Sequence, residues 1–215
     1  MPRETLKSCR AWVFDLDNTL YPPRARLFDQ IETRMTAYVM DALDVDRARA
    51  DHLRRHYWQT HGTTLAGLMA EHDLDPEPYL DDVHDISLDA LDADTDLVAA
   101  IAALPGRRIV YTNGSAPYAR RVIGALGLEG LFDAVYGIEH ADYQPKPRAE
   151  AFHAVFERDG LEQSGATMFE DDPRNLAVPH ALGMHTVLVA EEPKPAPHIR
   201  FHTSALTSFL QEIAS

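Results

Sequence analysis

The chain has 215 residues, 45% hydrophobic and 25% charged, which suits a globular domain with a sizeable core and excludes a disordered segment. Its net charge of −14 excludes the basic footprint that a nucleic acid polymer requires, but not a small anionic ligand met by local positive potential. The lone Cys9 allows no intrachain disulfide, "MPRETLKSCR" lacks the apolar stretch of a secretory signal, and "LVAAIAAL" is far too short for a membrane span, so a cytoplasmic protein with no membrane partner is expected.

The first strand is expected in "AWVFDLD", an apolar run that ends in two carboxylates, Asp15 and Asp17. After it the pattern turns helical. In "FDQIETRMTAYVMDAL" the apolar positions 28, 31, 35, 38, 39 and 43 share one helix face, and "TLAGLMAEHDLDPEPYL" adds a second helix stopped by Pro76 and Pro78. Strand-like runs return with "RRIVYTNGS" (107–115), "DAVYG" (133–137), "ATMFEDD" (166–172) and "HTVLVA" (185–190). Helical stretches such as "PYARRVIGALG", "RAEAFHAVFERDG" and "NLAVPHALG" lie between them, and "EEPKPAP" reads as a proline-rich loop. The alternation predicts an α/β fold, a doubly wound parallel-sheet core of Rossmann type over 1–21 and 93–215, with an α-helical cap inserted over 22–92.

In an open parallel sheet, ligands bind beyond the carboxyl ends of the strands. Asp15 and Asp17 follow the first strand, Thr112, Asn113 and Gly114 the second, and Glu170, Asp171 and Asp172 the fourth. Lys146 stands between two prolines in "QPKPRAE". Two carboxylates brought to one strand end need a cation or a shared proton. The chemistry these clusters fit is phosphoryl transfer through an aspartyl-phosphate: Asp15 attacks phosphorus, and Asp17 protonates the leaving oxygen and then takes a proton from water. Thr112 and the amides after it bind phosphoryl oxygens, Lys146 neutralises their charge, and Asp171 and Asp172 hold Mg²⁺, a hard cation suited to carboxylate oxygen.

These residues also carry a resemblance. "DLDNT", "YTNGS", the Lys146 region and "FEDDP" resemble, in order, the four motifs of the haloacid dehalogenase superfamily of phosphatases. Within it, "DLDNTLYP" and "HGTTLAGLMAEHDLDPEPYLDDVHDI" are similar to pyrimidine 5′-nucleotidases. The resemblance implies that Asp15 is nucleophile and metal ligand, and that Asp17 is acid/base and offers its backbone carbonyl to Mg²⁺. It makes Asp172 the direct carboxylate ligand, with Asp171 bound directly or through water. Glu170 departs from the family's apolar residue at that position. The implied partner is a small phosphorylated substrate, a nucleotide.

Other readings stay open beside these. The same chemistry serves sugar phosphates, phosphoglycolate or a phosphomutase. A 2-haloacid dehalogenase would use the same nucleophile on carbon, although family members of that kind lack the second aspartate that Asp17 supplies; a non-catalytic binding module would need neither. The oligomeric state, monomer or homodimer, is not set by the sequence. His52 and His56, four apart, lack a zinc protease's glutamate and read as an exposed helix face, while Tyr57 and Trp58 read as cap core.

Overall fold

Six short runs form one parallel sheet: β1 (Ala11–Phe14), β2 (Arg107–Tyr111), β3 (Ala134–Tyr136), β4 (Thr167–Glu170), β5 (His185–Val189) and β6 (Phe201–Thr203), in the order β3-β2-β1-β4-β5-β6. They belong to a computed structural model that describes residues 2–214. Successive side chains along a strand point to opposite faces. Trp12, Phe14, Val110, Phe169 and Val187 therefore join one apolar cluster, while Val13, Ile109, Met168 and Leu188 join another on the opposite side. Both faces need helical cover, which is why these strands read as continuous apolar runs. Phe14 and Phe169, partners in the β1–β4 register, stack at 4.7 Å between centroids and 4° between planes.

The covering helices are α1 (Pro2–Leu6), α6 (Thr95–Ala102), α7 (Ala116–Ala125), α8 (Ala149–Asp159), α9 (Ala177–Ala181) and α10 (Leu206–Ala214). Four more lie between β1 and α6: α2 (Leu27–Leu43), α3 (Arg47–His61), α4 (Thr64–His72) and α5 (Pro76–His84). Among these, α3 packs on α2 and α4, and α5 on α2. Gly67 lets α4 approach α3 closely, since a Cβ there would stand 2.2 Å from the Tyr57 ring. Tyr57 is fully buried beneath it.

Three local readings change. Pro76 does not stop a helix: α4 already ends at His72, and Pro76 opens α5 behind the Asp75 cap, where its missing N–H is harmless. Phe28, expected on a buried face, is 43% exposed, because the inward side of α2 is formed instead by Leu27, Ile31, Thr36 and Val39. A sixth strand, β6, pairs with β5 at the sheet edge.

The strand order runs outward in both directions from the β1–β4 pair, so the loops after these two strands diverge and leave a crevice at their carboxyl ends. No helix among the described residues is long and apolar enough to cross a membrane.

Candidate active site

Asp15 is the first residue beyond β1, and its N–H still donates to the Phe169 carbonyl of β4 at 3.0 Å. That extra bond fixes the buried carboxylate at the head of the crevice. Lys146 reaches it from the loop before α8: Nζ donates to Asp15 Oδ1 at 2.7 Å, to Glu170 Oε1 at 2.7 Å and to the Tyr111 carbonyl at 3.0 Å. Asn113 holds the lysine's own backbone from both sides, accepting from Lys146 N at 2.8 Å and donating to Lys146 O at 3.1 Å. The Asn113 side chain is thus committed to positioning Lys146, which leaves only its backbone amide for the phosphate role expected of the amides after Thr112. The Gly114 N–H is likewise directed onto Thr112 Oγ1 at 3.0 Å.

Glu170 ends β4 with no exposure at all. Its Oε1 also accepts from Asn175 Nδ2 at 2.7 Å, and its Oε2 from the Asp172 N–H at 2.8 Å. Asp15, Glu170 and Asp171 each place one oxygen within 4.8 Å of the others. Asp172, expected as the direct metal ligand, is not part of this cluster. Its carboxylate caps the turn Pro173–Leu176, accepting from Arg174 N at 2.9 Å and from Arg174 Nη2 at 2.6 Å. The physical reason is local: an aspartate before a proline that opens a helical turn satisfies that turn's N–H groups. The acidic residues gathered with Asp15 are therefore Glu170 and Asp171, while Asp172 lines the same cavity without joining them.

Two buried carboxylates and one half-buried one gather around one ammonium here, and the electrostatics follow. Burial, then the charge of Glu170, drive Asp15 well above the usual carboxylate range against the pull of Lys146. Asp171 is pushed up to about 7 by burial and by Glu170. Burial lowers Lys146, but Asp15 and Glu170 outweigh it and leave the lysine above its ordinary value. Two uncompensated negative charges on oxygen donors are what a hard divalent cation neutralises, so the residues fit such an ion.

Asp17 has different surroundings. Tyr21 and Tyr118 both donate to its Oδ1, at 2.5 and 2.7 Å. Burial raises the acid and the two phenols partly offset this, leaving it above its ordinary value. The nucleophile candidate thus sits against an ammonium, and the acid candidate against the two phenols, with the Thr112 hydroxyl a further neutral partner.

Asp15, Asp17, Thr112, Asn113, Gly114, Lys146, Asp171 and Asp172 all line one cavity of about 680 Å³. Its opposite wall comes from α2, α3 and α5, with Phe28, Arg54, Trp58, Leu80 and His84. Trp58, expected in the helical core, is 50% exposed at the mouth, and the Arg174 guanidinium lies 4.4 Å from its ring centroid. The rings of His52 and His56, both exposed, run parallel at 6.5 Å, outside the acidic cluster.

A family model for haloacid dehalogenase-like hydrolases matches residues 9–183. The chain belongs to this family. The hydrolase is 24% identical over 203 residues to phosphate metabolism protein 8 of Saccharomyces cerevisiae, a match covering 85% of this chain and 62% of that relative's length. Among solved structures it resembles a HAD phosphatase from Thermococcus onnurineus, with TM-score 0.63, 16% identity and coverage of 95% of this chain and 97% of the other. It also resembles a 2-haloacid dehalogenase from Pseudomonas syringae pv. Tomato DC3000, with TM-score 0.60, 19% identity and the same two coverages. At such identities the likeness is one of fold. The two neighbours differ in the chemistry their names state, so the choice between them rests on this chain's own residues.

Glu170 as a cluster member and Tyr21 and Tyr118 around Asp17 were not among the expected site residues. Glu170 was legible as an acid closing an apolar strand. Tyr118 stands at a buried position of an amphipathic helix, where nothing in the sequence directs its hydroxyl.

Proposed function

We propose that this hydrolase is a Mg²⁺-dependent phosphomonoesterase that works through an aspartyl-phosphate and takes nucleoside 5′-monophosphates, pyrimidine ones foremost. The observation that carries the reading is the separation of two aspartates two residues apart, Asp15 on Lys146 Nζ and Asp17 on a pair of tyrosines. Environments that differ in this way divide nucleophile from acid.

In the first half-reaction an Asp15 oxygen forms a bond to phosphorus while the ester P–O bond breaks, and a proton passes from Asp17 to the departing oxygen. Lys146 offsets charge between the nucleophile and the phosphoryl oxygens, and the Thr112 hydroxyl, which lines the same cavity, binds one of them. In the second half, water attacks phosphorus, Asp17 takes its proton, the bond to Asp15 breaks and phosphate leaves. Asp15, Glu170 and Asp171 would hold the divalent ion, which supplies further positive charge at the phosphoryl group. Attack on carbon with loss of halide requires no proton at the leaving group, so it gives the half-buried Asp17 no role as an acid.

Residues 22–92 act in this reading as a cap whose inner wall selects the leaving group and excludes water. The cavity volume falls in the range of small-molecule sites and exceeds the needs of a phosphoryl group alone. The nucleotide preference is supported by the likeness of "DLDNTLYP" and of the cap stretch to pyrimidine 5′-nucleotidases, and phosphate chemistry by the yeast relative's name. The test is a panel of nucleoside monophosphates, sugar phosphates, phosphoglycolate and a 2-haloacid, assayed with Mg²⁺ and with chelator. The reading requires the highest kcat/KM on pyrimidine 5′-monophosphates and reversible loss of activity in chelator. A preference for sugar phosphates would replace the substrate, and halide release undiminished by chelator would replace the chemistry.

A further inference from the structure

Tyr21 and Tyr118 come from separate parts of the chain, the loop after β1 and the first turn of α7, yet both hydroxyls end on the same oxygen of Asp17. Neither phenol is reachable from solvent to any extent, at 2% and 1% exposure, so each hydroxyl needs an internal partner. Placing two donors on one carboxylate oxygen, with neither on the other, breaks the symmetry of the group. The geometry points to Tyr21 and Tyr118 as positioning residues that fix Asp17 as proton donor: they occupy Oδ1, assign the transferable proton to Oδ2, and stop the carboxyl from rotating. This rests on the reading of Asp17 as the acid in phosphoester cleavage.

The support behind the pair is rigid. The Tyr118 ring stacks on His84 at 4.4 Å between centroids and 9° between planes, and His84 Nδ1 lies 3.2 Å from Ser115 Oγ. Ser115 caps α7, and His84 is the last residue of α5, so the acid is braced against both the sheet-side and the cavity-side helices. An oxygen already accepting two hydrogen bonds is a poor place for a proton, while Oδ2 keeps one to give. The step then balances: the bond from Asp15 to phosphorus forms, the ester bond breaks, and the Oδ2 proton moves to the leaving oxygen, which departs as an alcohol.

A purely structural pair would slow all substrates together when altered. A positioning pair matters only where the leaving oxygen needs a proton. The test measures kcat/KM, which reports steps up to leaving-group release, for Tyr21→Phe, Tyr118→Phe and Asp17→Asn with Mg²⁺. The substrates are p-nitrophenyl phosphate, whose leaving group departs as an anion, and a nucleoside 5′-monophosphate, whose alkoxide does not. Each tyrosine variant is expected to lose roughly 10- to 100-fold on the nucleotide, part of what a positioned acid contributes, and under about threefold on the aryl ester. Equal losses on both esters in folded tyrosine variants, with Asp17→Asn still separating them, would overturn the inference alone. Equal losses for Asp17→Asn itself would overturn the acid assignment beneath it. The two variants alter different segments, so one that fails to fold leaves the other to decide, with circular dichroism as the check.

Discussion

Replacing Glu170 with Gln and, separately, Asp172 with Asn distinguishes the two acidic residues that flank Asp171. Glu170 has no exposure, shares Lys146 with Asp15, and contributes one of three clustered oxygens. Asp172 pairs with Arg174 at 2.6 Å, with side chains 28% and 48% exposed, an ion pair of the kind that contributes under about 1 kcal/mol. Loss of a group that only supports a ligand weakens metal binding by about 10- to 100-fold, so loss of a cluster carboxylate should reach at least the upper figure. At a Mg²⁺ concentration about 100 times the wild-type Kd, binding stabilises the fold by about 2.7 kcal/mol. For a chain of this size each kcal/mol moves the melting midpoint by roughly 2–4 °C, so Mg²⁺ should raise the wild-type Tm by about 5–11 °C. Differential scanning calorimetry with and without Mg²⁺ reads this directly. Glu170→Gln should lose most of the increment and Asp172→Asn should keep it. An increment that survives in Glu170→Gln and vanishes in Asp172→Asn would refute the cluster drawn here and restore Asp172 as ligand.

Further outcomes are expected elsewhere. Asp15→Asn should abolish p-nitrophenyl phosphate hydrolysis while leaving far-UV circular dichroism unchanged; near-normal turnover would remove it as nucleophile. His84 is held at about 4 by burial and then by the Arg121 charge, so the unfolded chain, with its histidine near 6.5, binds more protons between those values. Stability from His84 is therefore whole above pH 6.5 and falls by about 3 kcal/mol towards pH 4. Comparing denaturant midpoints of wild type and His84→Phe across that window should show their difference shift by this amount, and a constant difference would refute it. Alanine at Phe28 or Trp58 should reorder the substrate panel more than it changes the rate on p-nitrophenyl phosphate, and uniform losses would count against selection at the mouth.

Much of the fold was legible because strands buried on both faces announce themselves as apolar β-branched and aromatic runs. Strands β1 to β5 fall within the runs read as such. The three residues of β6 carry no such pattern, and the pairing that makes them a strand comes from β5. Strand ends also showed where the polar residues would gather. The finer difference, Glu170 rather than Asp172 in the cluster around Asp15, was hidden because the acidic run reads as one feature. The Asp-Pro pair already marked Asp172 as a cap, and a buried glutamate at a strand's last position has meaning only once Lys146 is seen between it and Asp15. Tyr118 was hidden for another reason: periodicity tells that a tyrosine is buried, not where its oxygen ends.

The Trp58–Arg174 contact gives the molecule an optical gauge. The sequence has two tryptophans, and Trp12 lies sealed against the sheet with its indole N–H donating to the Pro105 carbonyl at 2.7 Å. Trp58 alone stands in water at the rim, its face covered by a guanidinium from the opposite side. Trp58 also lines the cavity, so a phosphate ester entering there meets an exposed indole and should change its emission, a signal the native chain supplies without a dye.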